Sequence, residues 1–173
     1  MTIDFGNPFA TPPERRDPAR RLRGRLPAPV TVWTAGGAGS TQGAGLTVSS
    51  LLVAEGEPPR LLALIDPVTR LYEELAATGR FLVHVLTEAD RRLGERFAER
   101  RPPIRSQFEG IGTEPSAWGP VLAGTRPVAA CRLDATRPLG RGDLVEGIIE
   151  QVTLPEAAAP LVWHHGEWRT LAD

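Results

Sequence analysis

Leu61-Leu62-Ala63-Leu64-Ile65, followed at once by Asp66-Pro67-Val68-Thr69-Arg70, is the stretch that decides how this chain folds. The first five residues are an unbroken apolar run of strand length, which suits a strand buried on both faces. Asp66-Pro67 ends that strand and opens a helix. Leu71, Leu75 and Ala76 fall at helical spacing, and Gly79 stands where a terminating glycine belongs. Phe81 to Leu86 is a second apolar strand. Thr87 then caps another helix, with Asp90 three residues on in the manner of a capping box. Its apolar stripe is Ala89, Leu93 and Phe97, while Arg91, Arg92, Glu95, Arg96 and Glu99 form a wet face.

Outward from this centre, the chain is mostly strand. Upstream, residues 29–35 and 46–54 read as strands joined by a Gly/Ala/Ser/Thr loop over 36–45. Downstream, residues 100–124 are rich in turn formers, and strands are expected near 125–137, 143–153 and 159–164. Gly166 makes a tight turn before Trp168. Asp17-Pro18 caps a short helix over 18–25, with proline at its first position. Two helices interrupting a meander of six or seven strands predict a mainly β, α+β barrel with two or three short helices, not a doubly wound sheet. Residues 1–18, with Pro8, Pro12, Pro13 and Pro18, are expected to be an irregular arm, and 19–173 a single domain.

Composition narrows the function. The 173 residues carry 20 Lys plus Arg against 21 Asp plus Glu, so concentrated basic charge for a nucleic-acid backbone is missing. The one basic run, Arg15 to Arg25, is diluted by Pro, Gly and acidic residues. A single cysteine, Cys131, excludes an internal disulfide and suits a reducing compartment. No stretch has the length of a membrane span, and no signal-peptide pattern opens the chain, so the cytoplasm is expected.

Several chemistries lack their residues. The loop Gly36-Gly37-Ala38-Gly39-Ser40-Thr41-Gln42 fits neither a dinucleotide fingerprint nor a P-loop, and reads as a hairpin connection. His164 and His165 are neighbours in a strand and point to opposite faces, and His84 has no spaced partner, so no metal site is expected. There is no Gly-x-Ser-x-Gly elbow, and Cys131 lies inside an apolar strand as a buried thiol.

Two segments carry more. At the helix start, Asp66, Thr69 and Arg70 sit where free N–H groups and the helix dipole favour an anion. Thr69 can donate a hydroxyl to a phosphate there and Arg70 a charge-assisted fork. The other reading is a surface arginine paired with Glu73 or Glu74. The second segment is Thr47-Val48-Ser49-Ser50, whose hydroxyls are unusual in a strand. They suit a polyol or a planar heterocycle, or else a solvent-facing edge.

In order and spacing, these segments resemble the flavin reductase family with the FMN-binding split-barrel fold. The pattern includes Gly45-Leu46-Thr47-Val48-Ser49-Ser50, Asp66-Pro67-Val68-Thr69-Arg70, Thr78-Gly79-Arg80-Phe81 and Val85-Leu86. It continues through Phe108-Glu109-Gly110, Gly119-Pro120-Val121-Leu122, Cys131-Arg132 and Gly147 to Pro160-Leu161-Val162-Trp163-His164 and Trp168. The resemblance implies a homodimer with FMN, or FAD in some members, near the subunit interface. It implies hydride transfer from NAD(P)H to flavin, and delivery of reduced flavin to a partner monooxygenase. It places Thr47, Val48, Ser49 and Ser50 along the isoalloxazine and ribityl chain, and Asp66, Thr69 and Arg70 at the phosphate end. His84 takes a position beside the flavin that is often Asn, and Trp163 and His164 match a position that is usually aromatic.

The chain departs from the pattern at three places: Ala28-Pro29 replaces a small-residue and Gly pair near the first strand, Val53 replaces a Ser on the hydroxyl strand, and the third bears on the nicotinamide. The family commonly has Gly-Asp-His before a long strand, and that histidine is associated with the nicotinamide. Here the spacing to Gly147 puts Gly140-Arg141-Gly142 there. Two other readings therefore stand beside the reductase: a flavin-binding protein that does not oxidise NAD(P)H, and a cofactor-free interaction barrel.

Overall fold

The computed structural model describes residues 17–98 and 106–171. Residues 1–16 of the expected arm and Glu99 of the expected wet face lie outside them. Helix α1 (Pro18–Arg25) starts where Asp17 accepts a hydrogen bond from the Ala19 N–H at 2.8 Å. The expected strand over 29–35 divides into β1 (Ala28–Pro29) and β2 (Thr31–Ala35). Val30 is the joint: its N–H donates to Leu161 O and its C=O accepts from the Leu86 N–H, so the backbone changes partners there. The expected strand over 46–54 likewise divides into β3 (Ala44–Val48) and β4 (Leu52–Ala54), with Ser49, Ser50 and Leu51 between.

Then come β5 (Arg60–Ile65), α2 (Arg70–Thr78) and β6 (Arg80–Val85). Gly79 ends α2 in the left-handed region at φ 66°, as its position predicts. The Thr87–Asp90 capping box forms, and a short 3-10 turn over Glu88–Asp90 leads into α3 (Arg91–Ala98). The chain closes with β7 (Thr113–Glu114), β8 (Val121–Leu122), β9 (Val128–Leu139), β10 (Gly142–Thr153), β11 (Leu161–His164) and β12 (Glu167–Thr170).

Seven strands make one antiparallel sheet in the order β3-β2-β6-β9-β10-β5-β4. The sheet curls so that its two ends meet. At the seam, Ser50 Oγ donates to Leu64 O and accepts from the Leu64 N–H, both at 3.0 Å. One hydroxyl thereby supplies both halves of a ladder contact where the strand itself has broken. Inside the barrel Trp33 stacks on Phe81 with ring centroids 4.8 Å apart, and Leu61, Ile65, Cys131 and Val145 fill in around them. Gly147 makes this fit: a Cβ there would lie 2.6 Å from Phe81 Cζ. Helix α2 adds Leu71 and Leu75 to the same core.

A second core lies on the outer face of β2, under α3 and β11. It holds Val30, Val32, Leu86, Phe97, Phe108 and Leu161. Beside it Arg126 and Asp90 form an ion pair with side chains only 5% and 12% exposed.

The apolar run that opens the sequence reading is not buried on both faces. Leu61, Ala63 and Ile65 are 1% exposed, but Leu64 is 44% exposed and Leu62 half-buried. An antiparallel barrel wall has one inward face, so alternate residues of β5 look outward. Leu52, Leu144 and Ile148 stand opposite β5 residues on that same outer side, through the pairs Leu52 with Leu62, Leu144 with Leu64 and Ile148 with Arg60.

Candidate functional site

The loop from β5 into α2 is built by its own polar groups. Asp66 Oδ1 accepts from the Val68 N–H, and Asp66 O accepts from both the Thr69 N–H and the Thr69 hydroxyl. Thr69 Oγ1 in turn accepts from the Tyr72 N–H at 3.4 Å. Thr69 is thus the N-cap, and α2 begins at Arg70, later than Asp66-Pro67 suggests. The Thr69 hydroxyl proton is committed to Asp66 O, so the expected hydroxyl donation to a phosphate is not made, and the donors left for an anion are the N–H groups of the first helical turn and the Arg70 guanidinium.

Arg70 is exposed, and it forms no ion pair with Glu73 or Glu74 among the described residues. It lines a cleft of about 450 Å³ with Glu74, Ser40, Gln42 and the backbones of Gly36 and Gly37. The far wall is Ser106 and Gln107, held in place because Ser106 Oγ donates to Gln42 Oε1 at 2.8 Å. The glycine-rich loop therefore belongs to this site, although its sequence matches no nucleotide motif. Two of its glycines are structural: a Cβ on Gly43 would stand 2.0 Å from Ala35 O, and one on Gly36 would stand 2.6 Å from Gln42 O. Those contacts close the hairpin mouth.

The hydroxyl segment divides by role. Thr47 Oγ1 donates to Gly94 O at 2.7 Å and so fastens α3 to β3. Val48 is 5% exposed, with its side chain in the barrel core, so only its backbone faces outward. Ser50 is spent on the seam. Ser49 is half-buried, and its hydroxyl has no partner among the described residues. Close to Ser50 lie exposed Leu52 and Leu64, an apolar surface suited to a flat ring system.

His84 is fully buried in β6. Its Nε2 lies 3.2 Å from Thr34 Oγ1, and Thr34 gives its single proton to Pro120 O at 2.8 Å. Nε2 therefore carries the hydrogen and donates, while Nδ1 is a buried acceptor without a partner among the described residues. Burial first, and the nearby Arg126 second, push the imidazole pKa down to about 3 against an opposing pull from Asp90. His84 is neutral, and it does not line the Arg70 cleft.

A depressed histidine pKa means the unfolded chain takes up a proton that the folded chain refuses. Stability is therefore full above about pH 6.5 and declines as pH falls toward 3. We expect the thermal midpoint to drop across pH 6.5 to 4, and His84→Asn to flatten that slope. An unchanged slope in the variant contradicts this account.

Trp163 and His164 lie in β11, in the separate three-stranded sheet β1-β11-β12. Trp163 packs edge-on against Trp168, with centroids 4.9 Å apart, and His164 against His165. Neither lines the Arg70 cleft. At the position of the family histidine, a Cβ on Gly142 would stand 2.9 Å from Ile65 O. The close approach of β5 accounts for glycine there. The neighbouring Asp143 accepts a hydrogen bond from the Tyr72 hydroxyl at 2.6 Å, tying β10 to α2.

Among the described residues no three His, Cys, Asp or Glu side chains cluster as metal ligands, and no helix is long and apolar enough to cross a membrane.

Known proteins agree with this arrangement. Residues 23–172 match the family described as flavin reductase like domain. An NADH-dependent FMN reductase from Streptomyces nodosus subsp. asukaensis is 34% identical over 157 residues, covering 89% of this chain and 84% of that protein. The reductase component of an FADH2-dependent resorcinol hydroxylase from a Rhizobium species is 28% identical over 144 residues, covering 83% of this chain and 80% of that protein. The fold is shared with an NADH:FAD oxidoreductase of Streptomyces globisporus, solved with NAD and FAD fragments. That structure gives a TM-score of 0.81 at 23% identity, covering 94% of this chain and 96% of that one. With that family's model matching all but the first 22 residues and the last one, the chain belongs to the flavin reductase-like family.

Proposed function

We propose that this protein transfers a hydride from NAD(P)H to FMN and releases the reduced flavin to a flavin-dependent monooxygenase. The observation that carries the reading is what Ser49, Leu52, Leu64 and Arg70 leave open to a ligand. Among the described residues these offer a Ser49 hydroxyl without a partner, exposed Leu52 and Leu64 near it, and in Arg70 a cation in no ion pair at a helix N-terminus. Those are the requirements of a ribityl chain, a planar ring and a phosphate, in that order. Bound flavin supplies the redox chemistry, accepting two electrons and a hydrogen as one hydride from the dihydronicotinamide. The protein's own share is placement. Arg70 and the first N–H groups of α2 anchor the phosphate, Ser49 takes a ribityl or ring oxygen, and Leu64 and Leu52 keep one side dry. Without an acid, base or nucleophile to provide, the missing catalytic triad does not count against an enzyme.

Relatives named as NADH-dependent support nicotinamide as the donor. With Gly142 forced by Ile65, the nicotinamide contact made by the family histidine must come from elsewhere on this protein. A flavin carrier that does not oxidise NAD(P)H is the second reading, and Gly142 is the observation that favours it. Titration with FMN tests what the two readings share. Saturation at one FMN per chain is expected, and no uptake overturns both.

A second copy of the chain is the natural cover for the apolar outer face of β4, β5 and β10. Leu52 and Leu64 are 62% and 44% exposed there, beside half-buried Leu62, Leu144 and Ile148. Large exposed apolar patches on a folded domain mark interfaces. Leu64→Arg is expected to convert a dimer into a monomer in light scattering. A dimer that persists unchanged places the interface on another face.

A further inference from the structure

The barrel has a second cavity, of about 310 Å³, which shares no lining residue with the Arg70 cleft. Strand pairing fixes the order of its floor. Leu82 of β6, Ala130 of β9 and Gln151 of β10 form one row across the sheet, and Val128 and Thr153 stand in the next. Their chain neighbours Phe81, Val83 and Cys131 are in the barrel core, so these rows look outward. Rows two residues apart along a strand are separated by about 7 Å, enough for one ring to lie flat. Ala130, the smallest side chain of the floor, makes the depression. Trp118 closes one end. Its Nε1 donates to Glu150 at 2.8 Å, Glu150 pairs with Arg132, and Arg80, opposite Arg132 in the sheet, lies over the indole ring. The indole is thus held in place before any ligand arrives. On the β2 side stand Val121 and Leu122, positioned because Pro120 O accepts from the Thr34 hydroxyl.

The polar groups of the cavity select the ligand. Arg126 lines the far end, but its guanidinium is spent on Asp90, Leu122 O and Ala123 O. The Ser116 hydroxyl donates to Gly119 O and accepts from the Trp118 N–H. Thr125, Gln151 and Thr153 are exposed, and their side chains have no hydrogen-bond partner among the described residues. An aliphatic floor, a fixed indole and three free neutral polar groups at the edge suit a neutral aromatic ring that carries a hydroxyl. A carboxylate or phosphate would meet no free cation there and would lose its hydration without return. We propose that this cavity binds a neutral, single-ring phenol, and does so whether or not the flavin site is filled. The ring lies over Ala130 beside Trp118, with its hydroxyl among Thr125, Gln151 and Thr153. Nothing in this rests on the reading of Ser49 and Arg70.

Calorimetric titration of the full chain with phenol tests the site, with cyclohexanol and benzoate as comparison probes and with phenol titrated again in the presence of about 1 mM FMN. Two substitutions fill the cavity by different routes. Gln151→Trp adds a large side chain from an exposed strand position where aromatic residues are favoured. Ala130→Val raises the floor by two methyl groups. Thermal melts of both variants check that they fold, and FMN titrations check the flavin site.

One phenol per chain is expected, with a dissociation constant below about 1 mM, in reach of a ligand of this size. Cyclohexanol should bind at least about threefold more weakly, for want of the aromatic contact with Trp118, and benzoate at least about tenfold more weakly. Each variant should weaken phenol at least about tenfold and leave FMN behaviour within about twofold of wild type. No saturable phenol binding overturns the proposal, as does binding that both variants retain. Displacement of phenol by FMN would put the phenol in the flavin site and overturn it too. Cyclohexanol or benzoate bound as tightly as phenol overturns the assignment of a neutral aromatic ligand. A wild type that takes up phenol but no FMN would leave this site standing and sink the proposed function alone.

Discussion

Arg126→Met is expected to lower the unfolding free energy by about 3–5 kcal/mol, the usual cost of orphaning one member of a buried ion pair. The guanidinium reaches Asp90 through two hydrogen bonds, Nε to Oδ2 at 3.2 Å and one terminal nitrogen to Oδ1 at 2.8 Å. It also donates to Leu122 O and Ala123 O. Removing it leaves a carboxylate and two carbonyls without their donor, all next to the second core. The same carboxylate completes the Thr87 capping box, so the entry to α3 loosens as well. Burial pushes the Asp90 carboxyl up, but the hydrogen bonds from Arg126 and Thr87 more than offset it and hold it below its usual range. Urea unfolding of the variant measures the effect. A loss under about 1 kcal/mol would mean that the pair is as weak as an exposed one.

Arg70→Ala is expected to weaken FMN binding by about 1.5–3 kcal/mol, roughly ten- to hundredfold, with the melting temperature unchanged. The two halves of that expectation come from the same observation. Arg70 is exposed and makes no ion pair among the described residues, so the fold loses nothing with it. Its guanidinium is the one cation lining the cleft among the described residues, so a bound phosphate loses its charged partner. Fluorescence titration of wild type and variant side by side reads the difference. Equal affinities would remove Arg70 from the site and, with it, the reason for placing the phosphate at α2.

Much of this architecture is legible in the sequence, because local signals there agree with the fold. Gly79, Thr87 with Asp90, and Asp17-Pro18 each end or begin the helix that their chemistry predicts. What periodicity misses depends on contacts far apart in the chain. The breaks at Val30 and at Ser49-Ser50-Leu51 exist because the backbone changes sheets or closes a seam. No local pattern reports a serine bonded to a leucine 14 residues away. The unbroken apolar run of β5 looks like a strand buried twice, since an apolar outward face has the same composition as a core face.

The site is legible only in part for the same reason. Thr47, Ser50 and Thr69 are polar residues in the right places, yet the structure engages all three hydroxyls internally. Sequence spacing cannot distinguish a hydroxyl that holds a barrel together from one free for a ligand. The glycine-rich loop lines the cleft by tertiary approach alone. Gly142 is likewise explained by the nearness of Ile65 O, a contact between strands whose spacing in sequence carries no motif.

The central claim is tested most directly by mixing the protein with NADH under anaerobic conditions, with and without added FMN, and following absorbance of both. The account predicts loss of NADH absorbance only when FMN is present, with matching bleaching of the flavin. Stable NADH in the presence of bound FMN would contradict it, and would make the protein a flavin binder that draws its electrons from another donor.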